Sequence, residues 1–254
     1  MIFGIATWQK AIDGVSDHFQ FKSFTIQQHR CAMKVGTDAI LLGAWATAAN
    51  PAAILDVGTG TGVVALMLAQ RFPNAVVEAV EIDKPASCQA AENFAASPWN
   101  DRLSVTHAAV QEFPFARRFG LIVCNPPYFH DSLKPDNHAR RTARHDGSLS
   151  SGELAGAANR LLAQDGRLSV ILPADHRDAF VIEAGSQGLY CVRQRLVHPT
   201  PKHPPKRILL EFSTDSSSPV VEERSMIIEL TRHQYSREYI DLAKSFLLRM
   251  HERS

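Results

Sequence analysis

The residues best suited to chemistry are four in a row, Asn125-Pro126-Pro127-Tyr128, which follow the apolar run Phe119–Cys124. An exocyclic amine on a planar ring has two N–H donors, and this turn offers two acceptors, the Asn125 side-chain oxygen and the Pro126 carbonyl. The φ angles of Pro126 and Pro127 are fixed, so both acceptors are held in place. Tyr128 can stack on the ring, a contact worth roughly 1–3 kcal/mol for a nucleic-acid base. An ordinary strand-ending turn with an exposed tyrosine is the alternative interpretation.

A second group of residues follows an earlier apolar segment, in the order Leu55-Asp56-Val57 and then three glycines, Gly58, Gly60 and Gly62. Glycine lets the backbone turn tightly and approach a ligand closely. Val63 stands where a dinucleotide-binding fingerprint would have its third glycine, which disfavours a pyrophosphate cofactor. Glu81 ends the next apolar segment, at the place where an acid binds ribose hydroxyls. Together these residues predict a site for a nucleoside-containing cofactor.

The elements that must position these residues alternate between strand and helix. Hydrophobic periodicity predicts strands over 53–57, 76–82, 103–108, 120–124 and 167–172, and helices over 37–49, 63–72, 85–96, 150–164 and 174–188. Residues 19–28 predict a strand or hairpin, 191–197 and 207–212 a hairpin around a proline-rich loop, and 226–230 and 237–250 a last strand and helix. Thr37 or Asp38 is available as the cap of the first helix, and Asp83 as the cap of the third.

This alternation predicts an α/β fold with a doubly wound, mostly parallel, seven-stranded sheet, an antiparallel C-terminal hairpin and a small N-terminal extension. In such sheets, ligands bind beyond the carboxyl ends of the strands, where the strand order reverses. We therefore expect the first and fourth strands to be neighbours, so that the glycine loop and the Asn125 turn share one crevice.

The composition limits the functional classes. The chain has 254 residues, 45% of them hydrophobic and 21% charged, and no apolar stretch long enough for a membrane helix. Its formal net charge is +1, so a nucleic-acid partner must be bound by a local patch. The four cysteines are scattered without a C-x-x-C pair, which disfavours disulfides and zinc. We expect a cytoplasmic monomer that binds neither a membrane nor a metal.

Four blocks of sequence carry a resemblance to a known family: residues 21–45 (FKSFTIQQHRCAMKVGTDAILLGAW), 55–62 (LDVGTGTG), 125–129 (NPPYF) and 204–212 (PPKRILLEF). In this order they resemble the bacterial valine-tRNA adenine N6-methyltransferase family, whose members use S-adenosylmethionine. The resemblance extends over most of the chain. It implies a class I methyltransferase domain over residues 37–254, preceded by an extension or lid over residues 1–36.

The same resemblance implies a role for each matching residue. The three glycines would pass under the methionine part of S-adenosylmethionine, and Glu81 would hold the ribose. Asn125 and Pro126, with Pro127, would hold the target amine while Tyr128 stacks on adenine. The remaining cofactor residues would be Asp56 and the lid segment 34–39, in which Thr37 lies and Lys34 could pair with the cofactor carboxylate.

One position departs from the family pattern. Related sequences have an acid after the third strand that binds the cofactor's adenine amine, whereas this chain has Ala109 there. Gln111 or a backbone carbonyl could substitute, so the adenine contact stays unassigned.

Two basic segments are candidates for RNA binding. The first, residues 137–145, contains Arg140, Arg141 and Arg144 and follows the Asn125 turn. The second, residues 184–210, has no acid and includes Arg193, Arg195, Lys202, Lys206 and Arg207. Such segments can bind the phosphates of a flexed RNA strand, although a solvated loop and hairpin would have the same composition.

The resulting hypothesis is methylation of the N6 amine of adenosine 37 in the anticodon loop of a valine tRNA, as the resemblance implies. Three alternatives stay open. The N-P-P-Y turn also occurs in protein-glutamine methyltransferases that act on release factors, because a glutamine amide presents the same two N–H donors. A dinucleotide-dependent oxidoreductase and a non-catalytic RNA-binding module are the others.

Overall fold

The computed structural model describes residues 17–112, 116–126, 149–248 and 250. Its strands are β1 (His18–Gln20), β2 (Thr25–Gln27), β3 (Ala53–Val57), β4 (Val76–Glu81), β5 (Leu103–His107), β6 (Phe119–Cys124), β7 (Leu162–Pro173), β8 (Tyr190–His198), β9 (Arg207–Ser213), β10 (Val221–Glu222), β11 (Met226–Ile227), β12 (Glu229–Thr231) and β13 (Gln234–Tyr235). Its helices are α1 (Thr37–Trp45), α2 (Val63–Arg71), α3 (Lys84–Ala95), α4 (Ser151–Leu161), α5 (Arg177–Ser186) and α6 (Arg237–Ala243).

A central sheet organises the described part of the chain, in the order β10-β8-β9-β7-β6-β3-β4-β5, with β11 also paired to β8. Strands β3 to β7 are parallel, and β9 runs antiparallel to both β7 and β8. The seven longer strands form the predicted sheet, and the two-residue strands β10 and β11 extend it beyond β8. The predicted α/β fold, with its antiparallel C-terminal hairpin, is therefore confirmed.

Both faces of the sheet are covered, so its central strands are apolar on both sides. Successive side chains of a strand point to opposite faces, and Ile54 and Leu55 accordingly lie in two different core clusters. The first cluster contains residues of α1, α2, α3 and α6, and the second contains residues of α4 and α5. The N-terminal hairpin β1–β2, which was also predicted, packs its Phe21 and Ile26 into the first cluster.

Several predicted boundaries were wrong. Helix α1 ends at Trp45 rather than at residue 49, and its N-cap is Gly36, which makes no side-chain capping bond. Asp38 pairs instead with Arg207, with Nε and Oδ2 2.8 Å apart. The last helix ends at Ala243 rather than at residue 250, and the strand predicted over 226–230 is divided between β11 and β12. Within 226–230, β11 pairs with the distant strand β8 whereas β12 pairs with the neighbouring β13, which divides the predicted strand.

Asp56 fastens the glycine loop and α2 to the end of β3. Its side chain is buried, and Oδ2 accepts hydrogen bonds from Thr59 Oγ1 at 2.6 Å and from the Ala65 backbone N–H at 3.1 Å. Ala65 lies in the first turn of α2, so the carboxyl group satisfies a donor that the helix leaves unpaired. Burial raises the pKa of Asp56 to about 7, although the Thr59 and Ala65 bonds favour the charged form.

This raised pKa predicts a pH-dependent contribution to stability. The folded protein keeps the Asp56 proton up to about pH 7, whereas the ordinary pKa is 3.8. The free energy of unfolding therefore loses up to about 1.4 kcal/mol per pH unit through this group as the pH rises from about 4 to about 7. Asn at this position can accept both bonds through one oxygen but does not titrate. Urea denaturation at several pH values should show Asp56→Asn gaining on the wild type across this window, and parallel curves would contradict the assignment.

Candidate functional site

The strand order reverses between β3 and β6, and this reversal creates the candidate site. The two strands are parallel neighbours, with Val57 paired to Cys124, so that the next residues, Gly58 and Asn125, follow side by side at the same edge. Asn125 is half-buried and Pro126 is buried. The predicted adjacency of the glycine loop and the Asn125 turn is therefore confirmed.

The glycine loop leaves room for a ligand on its outer side. Gly58 and Gly60 have φ angles of +68° and +56°, which glycine adopts without strain, and a Cβ at either position would meet no atom within 4 Å. The N–H groups of Gly58 and Thr59 donate to the Val80 carbonyl at 2.9 and 3.2 Å, which fixes the loop on β4. The loop is therefore an open cradle. Because Gly58 and Gly60 have no side chains, a ligand can approach the backbone closely.

Gly62 serves a different purpose from the other two glycines. Its φ angle is +84°, and a Cβ there would lie 2.5 Å from the Phe94 ring. Gly62 is also the N-cap of α2. The structure therefore explains this glycine by close packing of the loop against α3.

Glu81 lies at the carboxyl end of β4, beside the cradle. Its two carboxylate oxygens accept backbone N–H groups, Oε2 from Gly60 at 2.8 Å and Oε1 from Asp83 at 2.9 Å. Each oxygen has a second lone pair, so the carboxylate can still accept hydrogen bonds from a pair of hydroxyls. The residue is 8% exposed, so its orientation is fixed before any ligand binds. Asp83 caps α3 through the Ala86 N–H, as predicted.

The segment from Gln28 to Gly36, here called the capping segment, lies close to Glu81. Burial together with the negative charges of Glu81 and Asp83 raises the pKa of the Cys31 thiol to about 11. The segment is folded on itself, because the Gln28 carbonyl accepts from Lys34 Nζ at 2.8 Å and the Gln28 side chain accepts from the Val35 N–H at 2.9 Å. Thr37 follows as the first residue of α1.

Two residues near Glu81 were missed from the sequence. Cys31 was counted only as one of four scattered cysteines, and Ile82 was read as the end of a strand. Ile82 is 52% exposed, although it directly follows Glu81 at the ligand-binding edge. A large apolar side chain between two acids, Glu81 and Asp83, was the available signal. The exposed Ile82 side chain offers an apolar surface on which a planar ring could pack.

The residues that follow β5, where related sequences have an acid for the cofactor's adenine, form hydrogen bonds within the protein. The Ala108 N–H donates to the Glu81 carbonyl at 3.1 Å, and the Ala109 carbonyl accepts from the Glu112 N–H at 3.2 Å. The Gln111 carbonyl accepts from Arg160 at 3.4 Å.

The structure describes two of the predicted RNA-binding lysines, whereas three of the predicted arginines lie outside the described residues. Arg140, Arg141 and Arg144 lie outside the described residues, as do Pro127 and Tyr128 of the catalytic turn. Lys202 and Lys206 are exposed in the connection between β8 and β9. That connection meets the carboxyl end of β7, where Pro173 pairs with Arg207 and the Ala174 N–H donates to the Lys206 carbonyl, and thus lies at the edge that carries Asn125.

The arginines of the same segment are engaged within the protein. Arg207 is only 15% exposed in its ion pair with Asp38. Arg193 lies over the Trp45 ring, 3.6 Å from its centroid, and pairs with Glu211 and Glu223 at 2.8 Å each. Arg195 pairs with Glu223 and Glu238. Acids from outside the segment therefore pair with these three arginines, and their binding to RNA stays a prediction.

The described residues contain neither a cluster of metal ligands nor a membrane-crossing helix. No group of three or more histidine, cysteine, aspartate or glutamate side chains in that part of the chain could hold a metal ion. Among the same residues, none of the helices has the length and apolar character needed to cross a membrane.

Comparison with known proteins agrees with this geometry. Residues 33–184 match the family model of the methyltransferase small domain. A solved structure described as a "predicted O-methyltransferase" from Agrobacterium tumefaciens superposes with a TM-score of 0.64 at 22% identity, covering 82% of this chain and 96% of that chain. The CcbJ methyltransferase from Streptomyces caelestis gives a TM-score of 0.51 at 14% identity, over 69% of this chain and 88% of that one. These likenesses show the class I methyltransferase fold.

Curated relatives define the family more narrowly. The tRNA1(Val) (adenine(37)-N6)-methyltransferase of Phocaeicola vulgatus is 48% identical over 233 residues, covering 92% of this chain and 98% of the relative. The protein of the same name from Trichodesmium erythraeum is 45% identical over 237 residues, with the same coverage of both chains. The chain therefore belongs to the tRNA1(Val) (adenine(37)-N6)-methyltransferase family, whose members depend on S-adenosylmethionine.

Proposed function

We propose that this protein transfers a methyl group from S-adenosylmethionine to the N6 amine of adenine 37 in a valine tRNA. The observation that carries the proposal is the juxtaposition of the open glycine loop at Gly58 and Gly60 with the Asn125 turn across the β3–β6 boundary. The relatives supply the substrate, since tRNA1(Val) and adenine 37 are the targets in their names.

The cofactor site would be built from the residues around the cradle. When bound, S-adenosylmethionine supplies an electrophilic methyl group on a sulfonium centre. Gly58 and Gly60 would pass beneath it, with Asp56 and Gly62 holding the loop from behind. Glu81 would accept the ribose hydroxyls through the lone pairs that the backbone N–H groups leave free. Lys34 and Thr37 belong to the lid segment 34–39, which would cover the cofactor. Lys34 would have to exchange its Gln28 partner for the cofactor carboxylate.

The Asn125 turn would bind the amine that reacts. The N6 lone pair of adenine is delocalised into the ring, so the amine is a poor nucleophile. The Asn125 side-chain oxygen and the Pro126 carbonyl would accept its two N–H groups, which lets the nitrogen become tetrahedral as it attacks. The positive charge that develops on nitrogen faces the same fixed oxygens, so that the transition state gains more than the ground state. The rigid backbone at Pro126 and Pro127 keeps the acceptors aligned, and Tyr128 would stack on the base.

Two further steps need no additional catalytic group. The methylated nitrogen carries an acidic proton, which can leave to water after the transfer, so none of the eleven histidines is required as a strong base. The adenine must leave its stack to reach Asn125, and this costs less in an anticodon loop than in a duplex. An anticodon loop is therefore a more accessible substrate for this turn than a duplex would be.

We also propose a division of the chain into a lid, residues 1–36, and a methyltransferase domain, residues 37–254. The β1–β2 hairpin and the capping segment precede the first helix, and both form hydrogen bonds with α3. The match to the family model begins at residue 33, close to this boundary.

The substrate assignment is tested by offering both candidate classes of substrate. Tritiated S-adenosylmethionine with purified tRNA1(Val) should yield labelled N6-methyladenosine, which nucleoside mass spectrometry places at position 37. A purified release factor tests the protein-glutamine alternative, because its glutamine amide has the same donors. Labelled release factor with unlabelled tRNA would refute the tRNA proposal.

Asn125→Ala tests the role of the turn. Because this change removes one of two acceptors that stabilise charge in the transition state, methyl transfer should fall by roughly a hundredfold or more. Calorimetry should show the affinity for S-adenosylhomocysteine within about threefold of the wild type. Asn100→Ala, an exposed substitution after α3, is the matched control and should leave both quantities unchanged. A turn without a catalytic role would give Asn125→Ala the activity of this control.

Lys202→Ala combined with Lys206→Ala tests the proposed RNA surface beside the site. Each lysine that neutralises a phosphate contributes about 0.7–0.9 to the slope of log affinity against log salt concentration. Filter binding of tRNA at several salt concentrations should therefore show weaker binding and a slope reduced by about one to two. Lys22→Ala combined with Lys244→Ala, which changes lysines of the β1–β2 turn and the end of α6, should keep the wild-type slope. Equal slopes for both double variants would exclude this connection as a phosphate-binding surface.

A further inference from the structure

Asn93 is a buried polar residue of α3 that no part of the proposed reaction uses. It is 2% exposed. Its side-chain oxygen accepts from the Gln27 N–H at 2.8 Å, and its nitrogen donates to the Gln27 carbonyl at 2.9 Å and to the Thr61 carbonyl at 2.8 Å. The carboxamide thus pairs with both backbone groups of the last β2 residue, as a neighbouring strand would, and at the same time bonds to the glycine loop.

A second carboxamide continues this contact one helical turn earlier. Gln89 lies four residues before Asn93, on the same face of α3, and is 0% exposed. Its oxygen accepts from the Arg30 N–H at 3.3 Å, and its nitrogen donates to Glu92 at 3.1 Å. Glu92 in turn pairs with the Arg30 side chain at 2.8 Å. Helix α3 therefore binds the chain at Gln27 and again at Arg30, directly before Cys31.

The same helix supports the glycine loop from behind. Phe94, the residue after Asn93, occupies the space that a side chain at position 62 would need. Asn93 bonds to the Thr61 carbonyl, and Thr61 is itself buried. Both residues therefore contact the loop at Thr61 and Gly62, whereas a Cβ at Gly58 or Gly60 would meet no atom within 4 Å.

We propose that Asn93 is a positioning residue that couples Gln27, the residue directly before the capping segment, to the glycine loop, so that one side chain fixes the start of the segment relative to the loop. This inference rests on the proposed function, because it assigns the cleft to S-adenosylmethionine. The Asn93 side chain bonds to backbone groups of Gln27 and Thr61, so we assign it an indirect role and no contact with the cofactor. Its effect is preorganisation: a fastened capping segment leaves less disorder to lose when the cofactor binds.

Loss of the carboxamide should loosen the segment and weaken binding together. Asn93→Leu keeps the branching of the side chain but leaves the Gln27 backbone groups and the Thr61 carbonyl without their partner. Hydrogen–deuterium exchange of the ligand-free protein should become faster over residues 25–36 and stay unchanged in β3 and β4. The dissociation constant for S-adenosylhomocysteine, measured by calorimetry, should rise roughly tenfold. Gln89→Leu removes the neighbouring contact and should act in the same direction with a smaller effect, which keeps the test decisive if Asn93→Leu does not fold.

Leu103→Ala is the matched control for a general loss of stability. Leu103 is a core residue at the amino end of β5, whereas the cleft lies at the carboxyl ends of the strands. It should lower the melting temperature while the affinity for S-adenosylhomocysteine stays within about twofold of the wild type. The proposal is wrong if residues 25–36 exchange faster in Asn93→Leu with unchanged affinity, or if Leu103→Ala weakens binding as much at an equal loss of melting temperature. Both readouts use S-adenosylhomocysteine alone, so a failure to methylate tRNA would refute the proposed substrate without affecting this test.

Discussion

The structure depends on one constraint, the reversal of strand order between β3 and β6. On one side of β3 the chain continues to β4 and β5, and on the other side it returns through β6 and β7. Helices from the two halves cover opposite faces, and in such sheets ligands bind at the carboxyl ends of the strands where the halves separate. The parallel register fixes the residues that meet there, since Val57 opposite Cys124 places Gly58 beside Asn125. A cofactor cradle and an amine-binding turn thus become neighbours although 67 positions separate them in the sequence.

The cleft also depends on polar side chains that are buried beneath it. Asp56 holds the glycine loop from β3, Asn93 holds it from α3, and Glu81 accepts the Gly60 N–H at its open side. Burying such groups is costly unless they are hydrogen-bonded, and each of them has at least two protein partners. The loop is therefore rigid before a ligand arrives, as electrostatic preorganisation requires.

Local signals were sufficient to predict the strands, the order of the elements and the glycine loop. Alternation of strand and helix gave the α/β class, and the Asp83 cap of α3 followed from its position before a proline. Local signals were insufficient where distant partners decide. Nothing near Arg193 in the sequence indicates that Trp45 packs on its guanidinium and that Glu211 and Glu223 neutralise it. Likewise, the hydrogen bonds of Asn93 to Gln27 and Thr61 join three separate segments, and no periodicity reveals them.

A crystal structure of the protein with S-adenosylhomocysteine would test the central claim most directly. We expect its sulfur to lie between Gly60 and the acceptors of Asn125 and Pro126, with the ribose hydroxyls bonded to Glu81. The distance from the sulfur to the Asn125 side-chain oxygen should then leave room for one methyl group and one amine nitrogen. A cofactor bound at another edge of the sheet, or a cleft closed by side chains between Gly60 and Asn125, would contradict this account.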